Sequence, residues 1–269
     1  RRSLQELASR HGIRPRKSLG QHFLADANLA RVIARESGAG RGTRVLEVGA
    51  GLGSLTVALA ETGAEVLALE VDRGLLPALE EVTAEFPRVR AIQVDAARAD
   101  WEDLLGGHGW RMASNLPYNV AVPVVLDLLQ DVPSVDPMVV MVQREVGERL
   151  IAAPGQEAFG AVSLRVAYRA DAKLLRRVRP SVFWPAPQVE SVLVRLERRS
   201  PPVSVPEEAL FRLVDAGFAQ RRKTMVNGLV RLGYGRGAAT AALEQGKLDP
   251  NVRAEQLGLE DFAGLVEAL

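Results

Sequence analysis

The chain has 269 residues, 47% of them hydrophobic and 25% charged, with a formal net charge of +1 and no cysteine. That length supports a larger domain plus a smaller one, and the composition excludes disulfides, a cysteine nucleophile and a thiolate metal site. No apolar run approaches the ~18 residues of a membrane helix and the N-terminal stretch lacks a signal-peptide core, so a cytoplasmic location is expected.

The near-neutral total hides an uneven distribution. Residues 1–36 carry a net +5, 37–159 carry −9, 160–200 carry +6 and 201–269 carry −1. A polyanionic partner would follow the basic flanks and avoid the acidic middle. Arg14, Arg16 and Lys17 make the first basic group, just ahead of Gly20-Gln21, and Arg176, Arg177 and Arg179 make another. Either run also suits a plain solvated face. The three histidines, His11, His22 and His108, are not clustered, and no metal site is expected.

Residues 43–48 read as a short apolar strand and residues 54–61 as the start of a helix. Gly49, Gly51 and Gly53 therefore occupy a strand-to-helix turn where a ligand can lie against bare backbone. A dinucleotide fingerprint would place its third glycine or alanine at position 54, where this chain has Ser54, so the spacing favours a ligand other than NAD. A second strand, 65–69, ends at Glu70, placed to accept both ribose hydroxyls. A third, 89–94, ends at Asp95, placed to take an adenine amino group. Singly, either acid reads equally as a helix cap. In this order, the two strand-end acids and the glycine turn describe a pocket for S-adenosylmethionine.

Asn115-Leu116-Pro117-Tyr118 follows at the next strand end. An exocyclic amine on a purine or pyrimidine is a poor nucleophile because its lone pair is delocalised into the ring. A site that methylates it must hold the N–H groups so that the lone pair faces the electrophile. Asn115 can offer its side-chain carbonyl, Leu116 a backbone carbonyl fixed by Pro117, and Tyr118 a flat face for stacking.

Residues 138–142 read as a fifth strand, and 172–178 with 191–197 as an antiparallel hairpin around Phe183-Trp184-Pro185. Phe183 suits a base-stacking loop or a packed core equally well. The expected fold is α/β: a Rossmann-like, mostly parallel methyltransferase sheet with one antiparallel strand, followed by a smaller all-helical domain. Arg198-Arg199-Ser200-Pro201-Pro202 reads as a linker, giving a catalytic domain over 1–199 and a helical RNA-docking domain over 200–269. Helices are expected at 207–220, 224–232, 236–244 and 259–269. Arg221, Arg222 and Lys223 lie at the first helix junction, where they can hold phosphates or helix carbonyls.

The chain resembles the small-subunit ribosomal RNA adenine N6,N6-dimethyltransferases. The resemblance rests on seven ordered segments: Ser18-Leu19-Gly20-Gln21-His22-Phe23-Leu24, the glycine turn, Asn115-Leu116-Pro117-Tyr118, Pro154-Gly155, Phe159-Gly160 with Ser163, residues 182–191, and residues 218–224. It implies that His22, Leu24, Gly49, Gly51, Glu70, Asp95 and Asn115 hold S-adenosylmethionine. It also implies that Asn115, Leu116, Pro117, Tyr118 and Phe183 form the adenine pocket. Arg14, Arg16, Lys17, Arg221, Arg222 and Lys223 are the expected RNA contacts. The family usually has asparagine where this chain has His22. The implied substrate is two adjacent adenines near the 3′ end of small-subunit rRNA, within a nearly assembled subunit, and a monomer is expected. Competing readings are a large-subunit rRNA methyltransferase, whose members tend to have isoleucine at the Leu116 position, a non-catalytic assembly or transcription factor, and a small-molecule methyltransferase.

Overall fold

The structure is a computed structural model that describes residues 2–16, 19–107, 109–118 and 120–269. It divides into two compact units, Arg1–Gly147 with Ala172–Arg198, and Glu148–Asp171 with Arg199–Leu269. Among the described residues the strands are, in chain order, β1 (Phe23–Leu24), β2 (Arg44–Val48), β3 (Glu65–Glu70), β4 (Val89–Gln93), β5 (Trp110–Asn115), β6 (Val135–Gln143), β7 (Ala170–Val178), β8 (Phe183–Trp184) and β9 (Ser191–Arg198).

Seven of them form one sheet in the order β4-β3-β2-β5-β6-β9-β7. The pairs β2–β3, β3–β4, β2–β5 and β5–β6 are parallel, and β6–β9 is antiparallel, with Val140 opposite Val194. The expected mixed sheet is therefore present. Its centre is set by apolar content: Met138 to Val142 on β6 are fully buried, as a strand covered on both faces requires. The outer strands β4 and β7 are polar and partly exposed. Around the sheet stand α1 (Arg2–Arg10), α2 (Ala27–Glu36), α3 (Ser54–Glu61), α4 (Leu76–Thr83), α5 (Trp101–Leu105) and α6 (Ala121–Asp131).

Helix α1 escaped the sequence reading. Its Leu4, Leu7 and Ala8 bury against Phe23, Leu52, Leu75 and Ala78. Arg198, read as linker, ends β9 instead. Its guanidinium donates to the carbonyls of Leu128 (2.5 Å), Leu129 (2.8 Å) and Val132 (2.7 Å), closing the C-terminal end of α6. The Phe183-Trp184-Pro185 segment is not a free hairpin loop either. It forms β8, which pairs with β1 so that Leu24 faces Phe183 and Phe23 faces Trp184.

The second unit holds α8 (Ala161–Arg169), α9 (Glu207–Phe218), α10 (Met225–Arg231), α11 (Arg236–Gln245) and α12 (Leu259–Ala268); α7 (Arg144–Ile151) runs into its first residues. A division after residue 199 would leave 148–171 with the sheet. Instead Phe159, Leu164 and Tyr168 pack with Leu210, Phe211, Leu229 and Phe262 in one apolar core, which draws that segment into the helical unit.

Candidate active site

The strand order places the C-terminal ends of β2 and β5 side by side, where the chain crosses from one half of the sheet to the other. Parallel α/β sheets open their ligand crevice at this point. A solvent-open cleft lies there, walled by the glycine turn, by Glu47 and Glu70, by Asn115 to Tyr118 and by the segment from Leu19 to Leu24.

Two glycines are required by contact as well as by conformation. Gly49 has φ +77°, and a Cβ there would sit 2.9 Å from Pro117 Cδ. At Gly51 (φ +58°) it would sit 2.9 Å from Phe23 Cδ1. Without side chains, the turn after β2 can lie flush against the loop after β5 at Gly49 and against Phe23 of β1 at Gly51.

Both acids of the cleft are buried. Glu70 accepts from Gly51 N (2.7 Å) through one oxygen and from Asp72 N (2.9 Å) through the other. Burial raises its pKa above the usual carboxylate value, and those backbone donors act in the opposite direction. Each oxygen keeps a lone pair for a further donor, such as a ribose hydroxyl. Glu47, 1% exposed, is pushed up to about 8, chiefly by burial and further by the Glu70 charge; the nearby Thr56 hydroxyl opposes this. Neither Glu47 Oε2 nor Thr56 Oγ1 completes a hydrogen bond. A buried carboxyl oxygen without a partner is expensive unless a ligand donor or cation meets it. The residues thus fit a cosubstrate that carries hydroxyls and positive charge.

Asn115 Nδ2 donates to His22 O (3.2 Å), which leaves Oδ1 as the acceptor for an incoming amine. Leu116 is buried and tied to β6 by its N–H to Met141 O (3.0 Å). The Tyr118 ring lies 5.5 Å from the His22 ring, centroid to centroid, and burial raises the phenol's pKa. His22 Nδ1 lies 2.8 Å from Pro185 O, and because a carbonyl can only accept, Nδ1 is the donor. An asparagine amide at this position could make the same donation.

Other expected residues are placed differently. Leu24 lines the cleft wall. Asp95 does not. It is 47% exposed, caps a 3-10 turn by accepting from Ala97 N (3.0 Å), and lies 3.9 Å from Arg98. Phe183 is 1% exposed and belongs to the core beneath the sheet with Leu24, Ala50 and Val178. A stacking role would require β8 to leave that core. Arg14 is exposed. Arg16 reaches Asp72 at 3.4 Å, and Gln21 Nε2 donates to the same carboxylate at 2.9 Å, so this pair pins the segment over the cleft. Lys17, Ser18 and His108 lie outside the described residues. In the helical unit Arg221 donates to Glu157 O (3.3 Å) and Phe159 O (3.0 Å), as a carbonyl-holding cation does, while Arg222 and Lys223 are exposed. Among the described residues no group of three or more His, Asp or Glu side chains is placed to hold a metal ion.

A family model described as ribosomal RNA adenine dimethylase matches residues 12–269. The chain belongs to that family. It is 43% identical to a ribosomal RNA small subunit methyltransferase A of Cutibacterium acnes, covering 99% of this chain and 93% of the relative. With the protein of the same name from Thermobifida fusca it shares 44% identity over 98% and 93% of the two chains. A dimethyladenosine transferase from Plasmodium falciparum (TM-score 0.76, 21% identity, 91% and 96% coverage) and the 23S rRNA methyltransferase ErmE (TM-score 0.72, 22% identity, 92% and 99% coverage) have the same fold.

Sequence reasoning passed over Glu47 and Gln21 as site residues. Glu47 had a signal: an acid on an otherwise apolar strand, two residues before the glycine turn. Gln21 had none, because its partner Asp72 lies 51 residues away.

Proposed function

We propose that this family member is an S-adenosylmethionine-dependent methyltransferase that dimethylates the N6 amines of two adjacent adenines near the 3′ end of small-subunit rRNA. It acts as a cytoplasmic monomer on a nearly mature small subunit. The observation that carries the reading is the meeting, in one cleft, of a backbone-lined turn with two buried acids and an asparagine whose amide N–H is already engaged. S-adenosylmethionine, when bound, supplies an electrophilic sulfonium methyl group. Glu70 offers oxygens to its ribose, and Glu47 offers the unpartnered Oε2 to a donor or cation on the same ligand. Asp95 can take the adenine amino group by giving up its exposed cap.

Asn115 Oδ1 and the Leu116 carbonyl accept the N–H bonds of the target amine, turning its lone pair toward the methyl group. Tyr118 supports the base, which must leave its RNA stack to enter. The methylated ammonium is acidic enough to lose its proton to water, so no strong base is needed. Arg14, Arg16, Lys17, Arg222 and Lys223 are RNA contacts in this reading. Arg221 contributes by holding the loop that bears Glu157 and Phe159.

The test is incubation with methyl-labelled S-adenosylmethionine and purified small subunits, large subunits or free adenosine, followed by mapping of the product. Dimethyladenosine in small-subunit rRNA is expected. Label on large subunits or on free adenosine would replace this reading with another.

A further inference from the structure

The outer edge of the sheet carries a row of cations that the site does not use. Strand β7 lies beyond β9 at the end of the sheet, and Lys173, Arg176, Arg177 and the following Arg179 are all exposed. Residues 172–189 contain these four cations and no aspartate or glutamate. Among the described residues none of the four has an ion-pair partner, whereas the neighbouring arginines do: Arg195 pairs with Glu197 at 2.6 Å and Arg199 with Asp171 at 3.0 Å.

Charged side chains on an edge strand also guard against strand pairing between molecules. Two further features point to a polyanion. At about 3.3 Å per residue the edge is charged over ~16 Å from Lys173 to Val178, with Lys173 and Arg177 on one face of the strand and Arg176 on the other. Its end is fastened to the cleft wall. The chain passes from Val178 through Arg179 to Val182, whose carbonyl accepts from Ala25 N at 2.7 Å, then to β8, paired with β1, and to Pro185, bonded to His22. A strand whose base sits in the cleft meets these cations as it leaves, while residues 37–159, at net −9, repel it elsewhere.

We propose that Lys173, Arg176, Arg177 and Arg179 form a phosphate-binding track for the RNA strand adjoining the target adenine. The inference rests on the functional reading above and deepens it. The partner is recognised by backbone charge and not by base identity, so the track sets affinity and salt dependence without choosing the sequence.

The test replaces all four residues with glutamine, with a companion in which the three arginines become lysine. Methyl transfer to purified small subunits is followed across a salt series, and S-adenosylmethionine affinity is measured by calorimetry. The glutamine variant should bind the cosubstrate normally, raise KM for the subunit at least ~10-fold near physiological salt, and flatten the log–log salt slope by up to ~3, at about 0.7 per single-strand phosphate. The lysine variant should keep most of the wild-type slope. The double variant Arg177→Gln/Arg179→Gln, nearest the cleft, should lose about half the effect, and it serves if the fourfold change aggregates at the bared edge. Wild-type KM and slope in either glutamine variant would overturn the track and leave the methyltransferase reading standing. Absence of transfer by the wild type itself would overturn both.

Discussion

Among the described residues, buried side-chain polar atoms without a partner occur in the sheet unit and not in the helical one. The sheet unit buries Glu47, Thr56, Glu70, Asp72 and Ser114, and it leaves Glu47 Oε2 and Thr56 Oγ1 without a partner. In the helical unit Ser163 is buried with its hydroxyl donated to Arg149 O at 2.6 Å, Arg165 grips both oxygens of Asp215 at 2.8 Å, and Arg169 pairs with Glu207. Buried polar groups in a folded protein are normally satisfied by internal hydrogen bonds. Unsatisfied ones mark where stability is given up for a ligand.

The sharpest way to break this comparison is Asn115→Ala. Loss of the amine-orienting acceptor should lower methyl transfer by a few orders of magnitude, about 3–5 kcal/mol in the transition state, while cosubstrate affinity falls far less. Single-turnover transfer beside calorimetric binding reads both, and turnover within tenfold of wild type would return Asn115 to a structural role. The counterpart in the helical unit is Phe262→Ala, a fully buried ring in that core. Denaturant unfolding should show a loss of about 3–5 kcal/mol, with cosubstrate affinity unchanged where the variant is folded.

Glu47→Gln separates the units by pH. Because the folded-state pKa of Glu47 is raised to about 8 from 4.5, the native protein holds a proton that the unfolded chain has lost. Wild-type stability therefore falls as pH rises from about 4.5 to 8, and that contribution should be absent in the glutamine variant. Unfolding at pH 6 and pH 9 should show the variant gaining about 3 kcal/mol on wild type over this range. The smallest effect is expected at residues 221–223. Arg222→Ala with Lys223→Ala should flatten the salt slope of subunit binding by about two contacts, whereas Arg221→Ala should instead loosen the Glu157–Phe159 loop and lower thermal stability.

Much of the site was legible because its chemistry is local. The turn from Gly49 to Gly53 and the run from Asn115 to Tyr118 are short motifs at strand ends, and parallel topology brings such ends together. What escaped depends on distant partners. The assignment of residues 148–171 to the helical unit follows from which core receives Phe159, Leu164 and Tyr168, and periodicity cannot name a helix's partner. Phe183 looked like a loop aromatic because prolines follow it, yet its pairing with Leu24 spans 159 positions. Arg221 looked like a phosphate ligand because the carbonyls it holds are more than 60 residues earlier.

The central claim is that the buried acids beside the glycine turn receive S-adenosylmethionine. Calorimetric titration of that cosubstrate near pH 7, in two buffers of different ionisation enthalpy and on wild type and Glu47→Gln, tests it most directly. Burial raises the Glu47 pKa to about 8, and a cationic ligand meeting it lowers that pKa again and so favours loss of the proton. Wild type should bind S-adenosylmethionine and release a larger fraction of a proton than Glu47→Gln, which should bind more weakly. Equal proton release and equal affinity in the two proteins would contradict the account.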